Sequence, residues 1–309
     1  MRLRVKITEQ SSISNFSKIF QNLSRLGKLC VIRFTDKLVY ILYIDEIING
    51  GNWGFCKIYQ ERIFEEYCME GLDKETNEIY MEVLIENIMK ALKNAASTKL
   101  IKIKLTKKKG PTLTFELETS SMLSSTRSII HDIPINLISK KFWPDFQAPD
   151  VLPFDISIRL PHLRVLKNMF DRIKQRASQI IITGNGKGRL SFKMETDIVT
   201  LNTRFKDSIF AFESDFPAIY DNSCTSFTQK MDNLYTVGCD KHLRTPASID
   251  QSDKIVKVDL KKISAIFTSY PFTPERACIN IKDRRSIQIF LVRDDFEFQY
   301  ILPCFAEVT

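Results

Sequence analysis

The chain has little with which to hold a metal or a disulfide framework. Its seven cysteines, at 30, 56, 68, 224, 239, 278 and 304, are odd in number, scattered and never spaced as CxxC. Neither a zinc site nor a disulfide scaffold is indicated, and a reducing compartment is the default. The three histidines lie far apart in sequence. Long apolar runs are missing too. The longest, LVYILYI at 38–44, is far short of the roughly 20 residues that a membrane helix needs. The opening MRLRVKITEQ alternates charged and apolar residues and has no apolar core of a secretory signal. These absences predict an intracellular, soluble chain without a membrane partner.

Glycine is scarce, ten in 309 residues, yet three gather in SQIIITGNGKGRLSFKME, at Gly184, Gly186 and Gly188. A phosphate-cradling loop would need a further glycine at 189, which is Arg189, and a helix after it. The next residues instead alternate Leu190, Phe192 and Met194 with Arg189, Ser191 and Lys193. That is the period of a strand, so the stretch reads as a hairpin turn. Other enzyme signatures are equally thin. The acids are spread along strands and turns instead of clustering for two metal ions. His131 and Asp132 are neighbours on an expected strand and point to opposite faces. No GxSxG elbow occurs. The reading is non-enzymatic, with no cofactor and no metal.

What is present is cationic charge and repetition. Forty-five basic residues stand against 37 acidic ones, a net +8, which favours a polyanionic partner. One unit recurs four times, beginning near Asn15, Glu86, Leu163 and Asp259: a strand, an amphipathic helix, then two strands joined by a tight turn. A proline-rich stretch, SKKFWPDFQAPDVLPF, separates the second copy from the third. Prolines at that density oppose regular structure. The expected organisation is an N-terminal domain at 1–138, a linker at 139–154 and a C-terminal domain at 155–309, with an irregular insertion at about 208–254.

Projected at helical period, each helix has an apolar face and a cationic one. Phe16, Ile19, Phe20, Leu23 and Leu26 oppose Lys18, Arg25 and Lys28. In the second helix, Ile85, Ile88, Met89 and Leu92 oppose Lys90 and Lys93. In the third, Leu163, Leu166, Phe170 and Ile173 pack, Arg164 and Arg172 point away, and Lys167 and Lys174 flank them. In the fourth, Leu260, Ile263, Phe267 and Tyr270 pack while Lys261 and Lys262 lie outward. Lysines on one helix face are commonplace on solvated surfaces. Four repeats with the same bias make a surface suited to duplex phosphates without base reading.

Two domains, each a pair of helix-and-hairpin units with basic helices, resemble a DNA sliding clamp of the proliferating-cell nuclear antigen type. The ordered series MRLRVKI, MEG with NEIYMEV, ALKNA leading into KIKLT, HDIPI, and GRLSFKMET with FKD narrows the resemblance. It is similar to the Hus subunit family of the checkpoint clamp, the nine-one-one complex. The match runs from residue 1 to about 207, fades over 208–254 and returns as pattern from 255 to 305.

The resemblance implies an α+β fold, each domain built of two β-α-β-β-β units with helices on one side of antiparallel sheets. It also implies a heterotrimeric ring with two other clamp subunits, a clamp loader, and checkpoint and repair clients. The setting would be the nucleus, with cytoplasmic chain before assembly. A homotrimeric replication clamp and a basic scaffold that never closes a ring are the alternatives. Ring closure would use two edge strands: Pro111–Glu118, with Thr112, Thr114 and Glu116, and Val199–Phe205, with Val199, Leu201 and Thr203. Clients would dock at the linker, on Phe142, Trp143, Phe146, Val151 and Leu152, unless these merely staple the linker to the sheets.

Overall fold

The computed structural model of the chain describes residues 1–44, 53–72, 76–120, 126–146, 154–206 and 252–305. The insertion at about 208–254 lies almost entirely outside them, as do Val151 and Leu152. The chain divides into two compact units. The first comprises described residues of Met1–Ile44, Phe55–Phe146 and Asp294–Glu297. The second takes those of Asp45–Gly54, Gln147–Arg293 and Phe298–Thr309.

In the first unit, strand β1 (Arg2–Ile7) leads to helix α1 (Gln10–Leu23), then to strands β2 (Leu29–Phe34), β3 (Leu38–Ile44) and β4 (Trp53–Tyr59). A single turn, α2 (Gln60–Ile63), precedes β5 (Glu66–Glu70) and β6 (Ile79–Leu84). Helix α3 (Ile85–Ala91) follows, continued as 3-10 turns over Leu92–Ser97. Strands β7 (Thr98–Lys107), β8 (Pro111–Ser120), β9 (Thr126–Pro134) and the short β10 (Asn136–Leu137) end the run. One antiparallel sheet has the order β5-β1-β7-β8-β9, and β10-β6-β2-β3-β4 lie side by side in another. Strict alternation in β1 explains the layering: Leu3, Val5 and Ile7 are buried while Arg2 and Arg4 are exposed. Across the same buried face come Ile101 and Ile103 of β7 and Leu113, Phe115 and Leu117 of β8. Helix α1 turns Ile13, Phe16, Ile19, Phe20 and Leu23 into this unit's core and packs beside α3.

The second unit opens with β11 (Ile156–Arg159) and helix α4 (Leu163–Ile173), followed by β12 (Gln179–Asn185), β13 (Arg189–Glu195) and β14 (Thr200–Phe205). After the insertion come β15 (Lys254–Asp259), helix α5 (Leu260–Ser269), β16 (Arg276–Lys282), β17 (Ser286–Val292) and β18 (Phe296–Pro303). One antiparallel sheet runs β14-β13-β12-β15, and β18-β17-β16-β11 lie in order in another. Helices α4 and α5 pack face to face, with Phe170 stacked on Phe267 at 5.1 Å and set edge-on to Phe192 of β13 at 5.7 Å.

The glycine cluster is the β12–β13 hairpin. Gly188 sits at φ 71°, a conformation a side chain resists. The Asn185 side-chain oxygen accepts the Lys187 and Arg189 backbone N–H groups at 3.0 and 3.2 Å. Gly184 has a packing reason: a Cβ there would lie 2.8 Å from Cδ1 of both Ile158 and Ile281.

Three expectations about local structure change. The first helix starts at Gln10, ahead of Asn15, and ends at Leu23. Arg25 and Lys28 therefore lie in the turn leading to β2, where Gly27 passes so close to the Tyr43 ring that a Cβ would overlap it. The second helix stops being α-helical at Ala91, and Asn94 leaves helical geometry at φ −102°, ψ 18°. The proline-rich stretch is not wholly irregular, since Lys140–Phe146 forms 3-10 turns that include Pro144.

Candidate nucleic-acid interface and assembly edges

The cations singled out by helical projection fall on the exposed sides of the helices or on the turns just beyond them. Lys18 is exposed on α1, Arg25 and Lys28 are exposed past its end, Lys90 is exposed on α3, and Lys93 is exposed on the 3-10 continuation. On α4, Arg164, Lys167 and Arg172 are exposed and Lys174 is half-buried at the C-terminal cap. On α5, Lys261 is exposed and Lys262 half-buried. The N-cap Asp259 sets the start of α5 by accepting the Lys262 backbone N–H at 3.0 Å. His162 caps α4 in the same way, its Nδ1 accepting the Arg164 backbone N–H at 3.2 Å.

The acids within these helices, Glu86 on α3 and Asp171 on α4, are each paired. Glu86 holds Lys90 at 2.8 Å and Asp171 holds Lys174 at 2.7 Å. The hydrogen bond from Lys90 keeps the Glu86 carboxyl below the usual carboxylate range. Local neutralisation thus affects Lys90 and Lys174. Each unit brings its own two helices side by side, so Lys18 and Lys93 belong to one cationic layer and Arg164, Lys167, Arg172 and Lys261 to the other.

The edge assignments divide. Among the described residues, strand β14 ends its sheet and is bonded to β13. Leu201, Thr203 and Phe205 stand opposite buried Met194, Phe192 and Leu190. The apolar side of the edge is incompletely covered: Val199 and Leu201 are exposed, and Ile198 just before the strand is 93% exposed. Strand β8 is not an edge. It pairs with β7 on one side and with β9 on the other, from Thr112 opposite Pro134 to Ser120 opposite Thr126. Thr112, Thr114 and Glu116 are therefore interior to the sheet. Sequence pattern marks TRSIIHDIP as a strand but cannot say where it adds, because pairing is non-local.

Among the described residues this sheet ends at β5 and at β9, and the outward-facing Ile130 of β9 is 60% exposed. Sequence reasoning missed Ile130 and Ile198. The available signal was a large apolar residue at an outward or turn position. Alternation along β9 also separates the tempting His131–Asp132 pair. His131 stands opposite Phe115, whereas Asp132 turns outward and accepts Lys108 Nζ at 2.6 Å and the Thr114 hydroxyl at 2.8 Å.

The aromatic residues of the connecting stretch have different fates. Trp143 is buried against Tyr80 and donates its indole N–H to the Ile138 carbonyl at 3.0 Å. Phe142 is 47% exposed, with Lys141 Nζ 4.5 Å above its ring, and Phe146 is half-buried.

Comparison with known proteins identifies the fold and the family. The family model described as Hus1-like protein matches residues 1–306. The human Checkpoint protein HUS1 is 33% identical over 307 residues, covering 99% of this chain and all of that protein. The Dictyostelium discoideum Checkpoint protein hus1 homolog is 27% identical over 98% of both chains. Among solved structures, PCNA from Entamoeba histolytica superposes with a TM-score of 0.66 at 12% identity, covering 98% of this chain and 99% of that one. PCNA from Thermococcus kodakaraensis gives 0.65 at 14% identity, covering 97% and 99%. The PCNA2–PCNA3 complex from Sulfolobus tokodaii gives 0.63 at 15% identity, covering 98% and 100%. The fold is thus the α+β sliding-clamp fold of antiparallel sheets and packed helices, and the chain belongs to the Hus1-like protein family.

Proposed function

We propose that the chain is a non-catalytic subunit of a heterotrimeric ring that encircles duplex DNA. Two other clamp subunits complete the ring, a clamp loader places it, and checkpoint and repair proteins read it in the nucleus. The human relative is named a checkpoint protein, and one structural neighbour is a complex of two different clamp chains. The observation that carries the reading is the distribution of charge on the helices. Lys18, Lys93, Arg164, Lys167, Arg172 and Lys261 are exposed opposite buried apolar faces. In a closed ring those faces line the hole. Long cationic side chains there meet phosphate oxygens, partly through water, and release counterions without reading bases. Such contacts hold DNA and let it slide.

Each contact is weak, so single replacements change little. Replacing Lys18, Lys93 and Arg172 together by alanine lowers duplex affinity equally for unrelated sequences. It also reduces the log–log salt slope by roughly 0.9 for each phosphate no longer neutralised. The measurement is duplex binding by the assembled complex across a salt series, with its mass as a control. Equal affinity and slope in wild type and variant remove the DNA-facing role. A stable homotrimer of this chain alone turns the reading towards a replication clamp.

A further inference from the structure

We propose that a cationic cleft at the N-terminal end of α4 is a fixed grip for the DNA sugar–phosphate backbone. The proposal rests on the DNA-encircling role above and adds a site to it. The cleft has a volume of about 760 Å³ and lies within the second unit. Its wall joins three pieces of chain: the end of β11, the first turns of α4, and the loop from the end of α5 into β16. Among the described residues, Arg159, Arg164, Lys167 and Arg276 line it together with one acid, Glu275.

The arrangement suits a phosphate chain for several reasons. The positive end of the α4 dipole adds to the four cations. His162 also lines the cleft. Its Nδ1 accepts the Arg164 backbone N–H, so in the neutral imidazole the proton sits on Nε2, which becomes a further donor. The loop wall is held in place: Phe272 meets Tyr270 edge-on at 5.6 Å, and the Arg293 guanidinium lies 5.5 Å above the Phe272 ring. Unlike the exposed cations of the helix faces, Arg159 and Arg276 are half-buried, so their positions are set by packing.

The occupant follows from size and continuity. The cleft is many times larger than one phosphate group, and its cations come from separate elements. Arg164 and Lys167 belong both to the cleft and to the exposed face of α4 that continues to Arg172. A strand of phosphates following α4 therefore runs into the cleft without leaving positive surface. That continuity favours DNA over a phosphorylated peptide. The cleft is then the place where this subunit resists sliding, beside helix faces that permit it.

The test uses the full-length chain and a short labelled duplex, with anisotropy read across a salt series. Arg159→Gln with Arg276→Gln should weaken binding and lower the salt slope by roughly 1.8 units, two phosphate contacts. Because those side chains are half-buried, two surface variants supply an arm that leaves the fold intact. Thr273→Glu places an acid at the exposed cleft wall and should weaken binding, whereas Glu275→Lys should tighten it. The proposal is overturned if both surface variants bind as wild type while the Lys18, Lys93 and Arg172 alanine variant loses affinity; the DNA-facing role of the helices then stands without the cleft. If none of these variants changes binding, the DNA reading falls as well. A phosphoserine peptide whose binding is lost in Thr273→Glu, with duplex binding untouched, likewise overturns the proposal in favour of a protein partner.

Discussion

Trp143 lies stacked on Tyr80, ring centroids 4.5 Å apart and planes inclined by 23°. Tyr80 belongs to a cross-strand row, Tyr40 on β3, Arg33 on β2 and Tyr80 on β6. The Arg33 guanidinium sits 5.1 Å from the Tyr40 ring and 5.5 Å from the Tyr80 ring. Trp143 thus adds a fourth layer to the row and fastens the stretch after β10 to the first unit. The packing favours the stapling reading for this residue, whereas Phe142 is exposed and Phe146 half-buried.

Trp143→Ala should therefore lower the stability of the first unit by about 3 kcal/mol, the scale of removing a buried tryptophan. Phe142→Ala should stay within about 0.5 kcal/mol of wild type, as exposed positions do. Denaturant unfolding followed by circular dichroism separates the two. Equal midpoints for both variants would dismiss the staple.

Arg33 is 1% exposed and donates through Nε and Nη2 to Glu78 at 2.9 and 2.6 Å. Removing the carboxylate leaves the buried guanidinium without its bidentate acceptor, a change worth about 3–5 kcal/mol at buried pairs. Glu78→Ala should cost on that scale. Arg33→Lys should not be benign, because an ammonium offers neither the fork nor the flat face between two rings. Urea midpoints for the two single variants and the double Arg33→Met, Glu78→Ala variant test this. The double variant should recover part of the loss.

Proline at Thr114 and lysine at Ile130 or Leu201 should now behave differently. Thr114 lies on β8 with partners on both sides, so Thr114→Pro breaks ladders inside the sheet and should lower the unfolding midpoint. Ile130 and Leu201 are exposed on the β9 and β14 edges. Lysine there blunts an edge without disturbing the core. Both lysine variants should keep the wild-type midpoint and lose assembly with partner clamp subunits, measured by native mass. Intact assembly in both would rule these edges out as ring-closing strands.

Asp155 ties β11 to the β16–β17 turn. One carboxylate oxygen accepts Lys282 Nζ at 2.8 Å and the other accepts the Asp283 backbone N–H at 2.8 Å. Burial alone would raise its pKa, but these hydrogen bonds outweigh it and hold the carboxyl below its ordinary 3.8. The unfolded chain then binds the proton more readily than the folded one. The stabilisation is complete above the ordinary value and is lost as pH falls through the lower folded value. Asp155→Asn should lower stability near neutrality and flatten the loss below about pH 4. Parallel acid limbs for wild type and variant would show that Asp155 is not the group responsible.

Much of this protein was legible residue by residue. Period-two alternation in MRLRVKI or RLSFKME and the helical spacing of Leu163, Leu166, Phe170 and Ile173 are local patterns, and local sterics with apolar burial turn them directly into strands and helices. The outward cations came with the same periodicity, since a residue opposite the buried face has solvent as its default. What the sequence by itself determined was therefore the strands and helices of the repeated unit and the outward charge on each helix, but not where the first two helices end, which put Arg25 and Lys28 in a turn and Lys93 on 3-10 turns. Tertiary structure alone decided whether β8 or β9 ends the sheet, whether Trp143 packs on Tyr80, that Gly184 lies against Ile158 and Ile281, and that Arg159 and Arg276 share a cleft with the start of α4. Each of these depends on contacts between residues far apart in the chain, and strand pairing and side-chain packing across such separations leave no periodic trace in either partner.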